Sequence, residues 1–346
     1  MKIEAAQIEA ANQSEMEAHK KDFDYLNQVL QRRGLKAESL ISKLAAFQVA
    51  TPSWALGTGG TRFGRFPGPG EPATLEDKIA DVGILHKLTR ATSNISLHIP
   101  WDDPKDPAAI KDVAKSHGIV FDSVNSNTFQ DQPNQKQSYK FGSVSNTKAD
   151  VRKLAIEHNI HCIKVGEKLG VNALTVWLAD GSNFPGQTNF QKSFTRTAES
   201  LKEVYAAMPK DWLMYVEHKP FEPNFYSSVV NDWGSALSLA REIGEHCHCL
   251  VDLGHHLPNT NIEQVVSRLL MNNRLGGFHF NDSKYADDDL TTGSIKPYQL
   301  FLIFNELIPV LDGQYPKNPK PAFMIDESHN TKDPLEDLLQ SFEALG

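Results

Sequence analysis

Apolar and polar residues follow a repeated order along most of the chain, in which a short apolar run is succeeded by a longer amphipathic stretch. The short runs are typical of strands buried on both faces. Eight of them are Phe47–Ala50, Ile95–Ile99, Ile119–Val124, Ala173–Leu178, Leu213–Glu217, Leu250–Asp252, Gly277–Phe280 and Ala322–Asp326. Helical spacing of apolar residues follows each run, near residues 74–91, 106–117, 147–170, 188–208, 230–246, 261–273, 296–311 and 333–345. Eight strand-then-helix units without a break in composition predict one (β/α)8 barrel, the TIM barrel of the α/β class.

A polar helical arm precedes the first of these units. Helical spacing covers residues 3–33 and stops at Gly34, and a second helix is predicted from Ala37 to Ala46. The arm has few apolar positions, so we expect it to lie outside the domain and to serve packing or subunit contact. The predicted organisation is an N-terminal helical extension over residues 1–46 and a (β/α)8 barrel domain over residues 47–346.

The composition is that of a globular protein that binds neither nucleic acid nor membrane. Of 346 residues, 40% are hydrophobic and 23% charged, and the net charge is −8 with no basic run to displace phosphate counterions. No secretory signal is evident, and no segment reaches the roughly 18–20 apolar residues that cross a membrane. We therefore expect a cytoplasmic protein whose partner is a small neutral or cationic molecule.

Cysteine usage argues against both a disulfide framework and a zinc module. The chain has only Cys162, Cys247 and Cys249, and the Cys-His-Cys spacing lacks the second ligand pair that a structural zinc site needs. We expect reduced thiols in or beside the core.

Two connections are too long to be simple turns. Residues 51–73 hold a glycine-rich run but lack the Gly-Lys-Ser/Thr ending of a phosphate loop, which argues against nucleotide binding there. Residues 125–146 are rich in Asn, Gln and Ser and are either disordered or a lid. Long loops of barrels are usually functional, which favours the lid.

Four predicted strands end on side chains that bind metals. Glu217, Asp252, His279 and Asp326 each close an apolar run, at intervals of 35, 27 and 47 residues that match successive strand-helix units. The carboxyl ends of barrel strands meet on the face where active sites lie. Carboxylates alone could belong to a salt-bridge network, but three carboxylates and an imidazole at equivalent positions favour an oxygen-rich divalent-metal site.

A second group of potential ligands flanks the first. A histidine lies three residues beyond the aspartate of the first group, and an acidic run at residues 287–289 follows the histidine of that group. Such a run is ordinarily solvated surface, but beside bound metal it predicts a second, more open site made by His255, Asp287 and Asp289, with Glu217 or Asp252 as a bridge. Two divalent ions per subunit are expected, Mn²⁺ first, with Co²⁺, Mg²⁺ or Zn²⁺ as alternatives.

Polar and aromatic side chains end other predicted strands. They are His98, Trp177 and Lys219, and Trp54 follows the first strand. Each has an ordinary structural explanation, as a hydrogen-bonded core histidine, a core tryptophan or a lysine that neutralises carboxylates. Together they indicate a small polar pocket whose indole faces pack against the C–H surface of a sugar.

Four strings at these strand ends resemble the bacterial L-rhamnose isomerases, of the xylose isomerase-like barrel superfamily. The strings are Tyr215–Pro220, Val251–His256, Phe278–Tyr285 and Ile325–Ser328, and the resemblance runs from about Thr51 to the C-terminus. It is closest to the shorter, broad-specificity type of these enzymes. None of the metal positions is replaced by a residue that cannot ligate.

The resemblance implies roles for individual residues. It implies a structural metal on the four strand-end ligands and a catalytic metal near His255, Asp287 and Asp289. It also implies a homotetramer, in which the aromatic loop around Phe63 and Phe66 reaches a neighbouring subunit's site and Phe66 contacts substrate. The implied sugar contacts are Trp54, His98, Trp177, Lys219 and Ser328.

We therefore expect an aldose–ketose isomerase that interconverts L-rhamnose and L-rhamnulose and accepts other aldoses. Moving hydrogen between C1 and C2 requires an open-chain sugar held by its oxygens, and a metal pair holds them while stabilising oxyanion charge. His98 or Lys219 would assist ring opening, Asp289 or Lys219 would help to remove the O2 proton, and Ser328 would complete the catalytic set. A hydride shift is expected because the available carboxylates are committed to metal.

Three other functions are possible on such a barrel. A ketose 3-epimerase would use one metal and two glutamates as paired acid and base, whereas Asp326 stands opposite Glu217. Metal-dependent cleavage of abasic DNA would need more histidine ligands and a basic face. A non-catalytic sugar-binding barrel would leave the ligand set without a use.

Overall fold

The eight-stranded parallel barrel predicted from the sequence is confirmed. A computed structural model describes residues 3–57, 71–327 and 332–346. Its strands are β1 (Thr51–Pro52), β2 (Asn94–Ile99), β3 (Val120–Ser126), β4 (Ala173–Trp177), β5 (Gly181–Ser182), β6 (Leu213–Glu217), β7 (Ser227–Ser228), β8 (Cys247–Asp252), β9 (Leu275–Phe280) and β10 (Ala322–Ile325). The short strands β5 and β7 form an antiparallel ribbon, and the other eight lie parallel in chain order. A bridge between Ala50 and Met324 joins the first and last of them, so the sheet is nearly closed.

Helices follow the barrel strands as the periodicity predicts. They are α1 (Ala5–Arg32), α2 (Ala37–Ala46), α3 (Leu75–Thr89), α4 (Pro107–Ser116), α5 (Ala149–Leu169), α6 (Phe190–Ala206), α7 (Trp233–Ile243), α8 (Ile262–Met271), α9 (Pro297–Leu311) and α10 (Pro334–Leu345). Capping side chains fix several of their starts. Thr74 and Asp77 form a capping box at α3, and Asn189 accepts a bond from the Lys192 N–H at α6.

The main core lies between the sheet and the helices. Phe278, Phe280 and Phe323 stack beneath α9, with ring centroids 5.3 to 6.0 Å apart, and Phe304 of that helix lies 5.8 Å from Phe280. Full burial of each such ring stabilises the fold by about 1.5–3 kcal/mol. The three cysteines are free and buried, as predicted.

The predicted first strand is displaced. Its apolar run was expected to pair over Phe47–Ala50, but β1 begins at Thr51, and only Ala50 of that run makes a bridge. Phe47 instead follows α2 and packs against Phe304 and Phe323, at centroid distances of 5.6 and 5.0 Å. The run is apolar because Val49 belongs to the main core and Phe47 packs against that core.

The N-terminal arm consists of the long helix α1 and the shorter helix α2, and both are mostly exposed. Met16, Tyr25 and Leu26 of α1 are exposed, and Leu44 of α2 is also exposed. None of the described helices is long and apolar enough to cross a bilayer.

Alternation along the barrel strands turns every second side chain inward. In β6, Leu213 and Tyr215 line a cavity of about 940 Å³ at the N-terminal mouth of the barrel, whereas Glu217 lines one of about 290 Å³ at the C-terminal mouth. Met214 and Val216, which alternate with them, belong to the main core. The same strand therefore serves two different ends of the molecule.

Candidate active site

Four side chains converge at the C-terminal mouth of the barrel and form what we call the first ligand group. Glu217, Asp252, His279 and Asp326 each offer a ligand atom, and these atoms lie within 4.8 Å of one another. The Nδ1 atom of His279 is 3.3 Å from the nearest Glu217 oxygen, 3.2 Å from Asp326 and 3.7 Å from Asp252. Parallel register brings them together, since Asp252 pairs directly with His279 across β8 and β9.

Asp252, His255 and Asp287 form a second ligand group, also within 4.8 Å of one another. The two ring nitrogens of His255 lie 3.0 Å from Glu217 and 3.2 Å from Asp287. Asp252 belongs to both groups, as one of the two bridges considered from the sequence. Asp289 lies outside this group of three but lines the same cavity, with its backbone in the left-handed region at φ 49°.

The electrostatics of both groups favour a cation. Burial disfavours a charged imidazole, but the surrounding carboxylates raise the pKa of His255 to about 10 and that of His279 well above its usual value. Burial likewise opposes ionisation of Glu217 and Asp287, yet His279 and His255 lower the pKa of Glu217, and His255 and Lys219 lower that of Asp287. Positive charge is therefore strongly stabilised between these carboxylates.

The donor atoms are also oriented as metal ligands would be. Asp252 directs Oδ1 to the Gly254 N–H at 2.7 Å and the Asn281 amide at 3.0 Å, while its buried Oδ2 has no hydrogen bond within the described residues. Trp54 donates to Asp326 Oδ1 at 2.8 Å, and Asp326 Oδ2 faces His279. In each of these two carboxylates one oxygen is thus fixed by the protein and the other is directed at the centre, an arrangement that fits a divalent ion.

Lys219 lies beside the second ligand group. Its ammonium is buried, forms close contact with Asp287, lies 3.4 Å from Glu222 and sits 4.9 Å from the centre of the Trp177 ring. These contacts place a fixed positive charge at one side of the cavity.

Aromatic rings form the opposite side of the cavity, around His98. The imidazole stacks on Trp101 at 4.0 Å, and Trp54 and Phe129 approach it edge-on at 5.4 and 5.6 Å. Phe129 also contacts Trp177 at 4.4 Å. Burial lowers the pKa of His98 to about 3, so the ring is neutral near pH 7.

A buried ion pair holds this aromatic side. Lys78 of α3 donates to Asp102 at 2.7 Å, and the second oxygen of Asp102 accepts from the Ser53 hydroxyl at 2.5 Å and the His98 N–H at 3.3 Å. Ser53 precedes Trp54, so one carboxylate ties both flanks of the cavity to a helix. Sequence reasoning missed this network.

The cavity collects most of the residues singled out from the sequence. It is lined by Trp54, His98, Trp101, Asn125, Ser126, Phe129, Gln130, Trp177, Glu217, Lys219, Glu222, Pro223, His255, His279, Asp287, Asp289 and Asp326. Trp101 and Phe129 were not predicted, although Phe129 is the first aromatic residue of the polar 125–146 stretch and lies directly after a strand, which was an available signal. The 125–146 connection, read as disordered or a lid, forms turns and is anchored where Asp180 accepts from the Ser143 and Ser145 N–H groups. Phe66 and Ser328 lie outside the described residues.

The chain matches a known protein family, and its fold and site geometry agree with that match. Residues 88–309 match the family described as xylose isomerase-like TIM barrel. The chain is 53% identical to a probable sugar isomerase of Rhizobium meliloti (strain 1021), covering 99% of this chain and 80% of that protein. A probable sugar isomerase of Mesorhizobium japonicum is 52% identical over 98% of this chain and 78% of its own length. The chain belongs to the xylose isomerase-like TIM barrel family and is a barrel of the sugar isomerase and epimerase type.

Solved structures share the fold at low sequence identity. An L-ribulose 3-epimerase superposes with a TM-score of 0.63 and 13% identity, covering 86% of this chain and 94% of that one. A 3-keto-D-glucoside 4-epimerase from E. coli gives a TM-score of 0.62 and 12% identity, covering 86% and 98%. At this identity the likeness extends to the barrel fold and no further.

Proposed function

We propose that the protein is a metal-dependent aldose–ketose isomerase that interconverts L-rhamnose and L-rhamnulose and accepts other aldoses. The observation that carries the proposal is the pair of ligand groups that share Asp252, in a cavity with a charged side and an aromatic side. An epimerase or a binding barrel has no need of the second group. The high identity to proteins named probable sugar isomerases supports the same class.

The first ligand group would hold one divalent ion, with Mn²⁺ the ion we propose first. Asp252, His255 and Asp287 would hold the second, with Asp289 as a further donor beside them. Bound there, the ions would supply Lewis-acid polarisation of sugar oxygens and stabilise developing negative charge.

His98 and Lys219 are placed to handle the protons of ring opening. The His98 ring lines the cavity and is neutral near pH 7, so it can accept a hydrogen bond from a sugar hydroxyl as the ring opens. Lys219 presents a buried ammonium on the opposite side of the cavity, where it can donate to the ring oxygen. The aromatic rings between them exclude water and offer flat apolar surface to the sugar's C–H groups.

We infer a hydride shift for the isomerisation itself. An enediol route needs a base beside C1 and C2 that exchanges its proton with water. Glu217, Asp252 and Asp326 all belong to the ligand groups, so the carboxylates at the strand ends are committed to metal. Transfer of hydrogen from C2 to C1 within the sugar needs only a base for the O2 proton. Lys219 and Asp289, which both line the cavity, are the groups we propose for this role.

Ketose 3-epimerisation is the second candidate. Solved structures of the same fold include an L-ribulose 3-epimerase and a D-psicose 3-epimerase, and the first ligand group alone would meet the one-metal requirement of such an enzyme. Asp326 stands where we expect an epimerase to place the second of its two glutamates. Its shorter side chain, bonded to Trp54, is less able to reach C3.

Product analysis separates the two candidates. Wild-type protein with Mn²⁺ should convert L-rhamnose to L-rhamnulose, lose this activity with chelator, and leave the C3 configuration of ketoses unchanged. Glu217→Gln should abolish turnover and release metal. Conversion of ketose to its C3 epimer without aldose formation would favour the second candidate. Near-stoichiometric deuterium at C1 in D₂O would rule out the hydride shift.

The assembly and the location of the protein also remain proposals. We propose a cytoplasmic homotetramer, with the loop around Phe66 completing a neighbouring site. Sedimentation of the active protein tests this, because a fully active monomer would contradict it.

A further inference from the structure

A buried carboxylate outside both ligand groups connects the segments that carry them. Glu327 directly follows Asp326 and is 1% exposed. Its Oε1 atom accepts from the Thr292 N–H at 2.8 Å, from the Thr292 hydroxyl at 2.7 Å and, at close range, from the Ser341 hydroxyl of α10. One side chain therefore joins the end of β10, the helix α10 and the loop that follows β9.

Residues 282–290 form a lobe that carries Asp287 and Asp289, and Thr292 lies at its base. The lobe is closed by two backbone bonds between Asp282 and Leu290, at 2.7 and 2.9 Å, and Thr292 follows two residues later. On the other side of Thr292, Asp282 accepts from the N–H groups of residues 295 and 296, both at 2.8 Å. The lobe is thus held at its base by two carboxylates that do not touch the ligand atoms.

The lobe needs such a support because its conformation is unusual. Asp289 has a φ of 49°, which side chains other than glycine rarely adopt. Local strain of this kind persists only where the surroundings fix it. Thr292 and Ser341 are almost fully buried, so the contacts with Glu327 are shielded from water and directional.

We propose that Glu327 is a positioning residue that sets the second ligand group against the first. This inference rests on the proposed two-metal function. Glu327 fixes the distance between the strand end that carries Asp326 and the lobe that carries Asp287. Its loss should displace the lobe and weaken the second ion, while the first ion keeps ligands that come mainly from strands. Loss of supporting contacts of this kind typically weakens metal binding about 10- to 100-fold.

Calorimetric titration of Mn²⁺ into metal-free protein tests the proposal. Wild type should bind in two steps. Glu327→Ala and Thr292→Val should each weaken the weaker step about tenfold or more, and leave the tighter step within about twofold. Glu327→Gln should restore much of the loss, because its amide oxygen can accept the same bonds from Thr292. Thr292→Val decides the question if Glu327→Ala does not fold.

Asn318→Ala is the matched control. Asn318 is also buried and bonds to the Leu275 N–H at 3.1 Å and its carbonyl at 2.9 Å, at the opposite end of β9. This variant should lower stability but leave both Mn²⁺ steps unchanged. Equal weakening of both steps in the Thr292 variant, or the same weakening in the control, would overturn the role of Glu327. A wild type that binds no second ion would instead overturn the proposed function itself.

Discussion

The two mouths of the barrel are built from the same strands but serve different purposes. The cavity at the N-terminal mouth is the larger of the two, about 940 Å³, and Leu213, Tyr215 and Phe323 are among the residues that line it. At the C-terminal mouth the cavity is about 290 Å³, and carboxylates, imidazoles and an ammonium line it. The size of a cavity therefore does not identify the candidate active site. The concentration of buried ionisable groups identifies it, as expected for the catalytic face of this fold.

Polar groups are also satisfied differently at the two ends. Asn318 at the N-terminal end meets both backbone groups of Leu275 and a third carbonyl, as a structural side chain does. At the C-terminal end, Asp252 Oδ2 is buried without a hydrogen bond among the described residues. An unsatisfied buried carboxylate oxygen destabilises a fold, so its position between the two ligand groups indicates selection for binding rather than stability.

The largest effect should come from the aspartate shared by both ligand groups. Asp252→Asn should lower kcat by about a thousandfold or more, since the charge that both ions need is removed. Bound Mn²⁺, measured by metal analysis after gel filtration, should fall in parallel. Asp122→Asn, at the opposite mouth, is the control and should keep near-normal activity. Comparable losses in the two variants would break the contrast between the two ends.

A smaller loss is expected for the lysine. Lys219→Met should lower kcat by about a hundredfold, because a positioned proton donor contributes about that much, while Mn²⁺ content stays near normal. Steady-state kinetics with metal analysis checks both. Lys320→Met removes a cation from the N-terminal mouth and should change neither. Full activity in the Lys219 variant would remove it from the proposed proton path.

A change on the aromatic side should affect binding more than chemistry. Phe129→Ala should raise KM about tenfold, because the ring contacts both His98 and Trp177 and its removal opens the cavity to water. The effect on kcat should stay within a few-fold. If the variant lowers kcat and leaves KM unchanged, Phe129 acts on the chemical step and not on sugar binding.

The smallest effect concerns stability at the N-terminal mouth and depends on pH. Burial raises the pKa of Asp122 from 3.8 to about 6. A carboxyl with a raised folded-state pKa favours folding while protonated, and this contribution is lost as the pH rises from about 4 through 6. Asp122→Asn should therefore be more stable than wild type above pH 6, by about 1–3 kcal/mol, and equally stable below pH 4. Denaturant unfolding at pH 4 and pH 7.5 checks this, and a pH-independent difference would contradict it.

Much of the fold follows from the sequence because each barrel unit is local. A short apolar run and the amphipathic helix after it are contiguous, so their periodicity predicts α5, α6 and α8 to within two or three residues. The ligands at strand ends could be predicted equally well, since Glu217 and Asp252 each end an apolar run. Convergence then follows from parallel pairing and needs no knowledge of loops.

Contacts made by loops could not be predicted in the same way. Trp101 and Phe129 reach the cavity only because turns after β2 and β3 fold inward, and neither lies in a periodic pattern. Asp289, predicted to ligate with Asp287, lines the same cavity, but its left-handed backbone at φ 49° could not be read from the sequence. Glu327 was passed over because its importance depends on Thr292 and Ser341, far away in sequence.

The barrel closes between its first strand, β1, and its last, β10, and this closure bears on how the protein folds during synthesis. The hydrogen bond from Trp54 to Asp326 joins residues 272 positions apart, and Ala50 bridges to Met324 beside it. Synthesis proceeds from the N-terminus, so the edge of β1 that faces β10 stays unpaired until β10 has been synthesised. Such distant pairing slows folding and exposes an edge to other chains. Because Asp326 follows the last barrel strand, the first ligand group is complete only after β10 has joined the sheet.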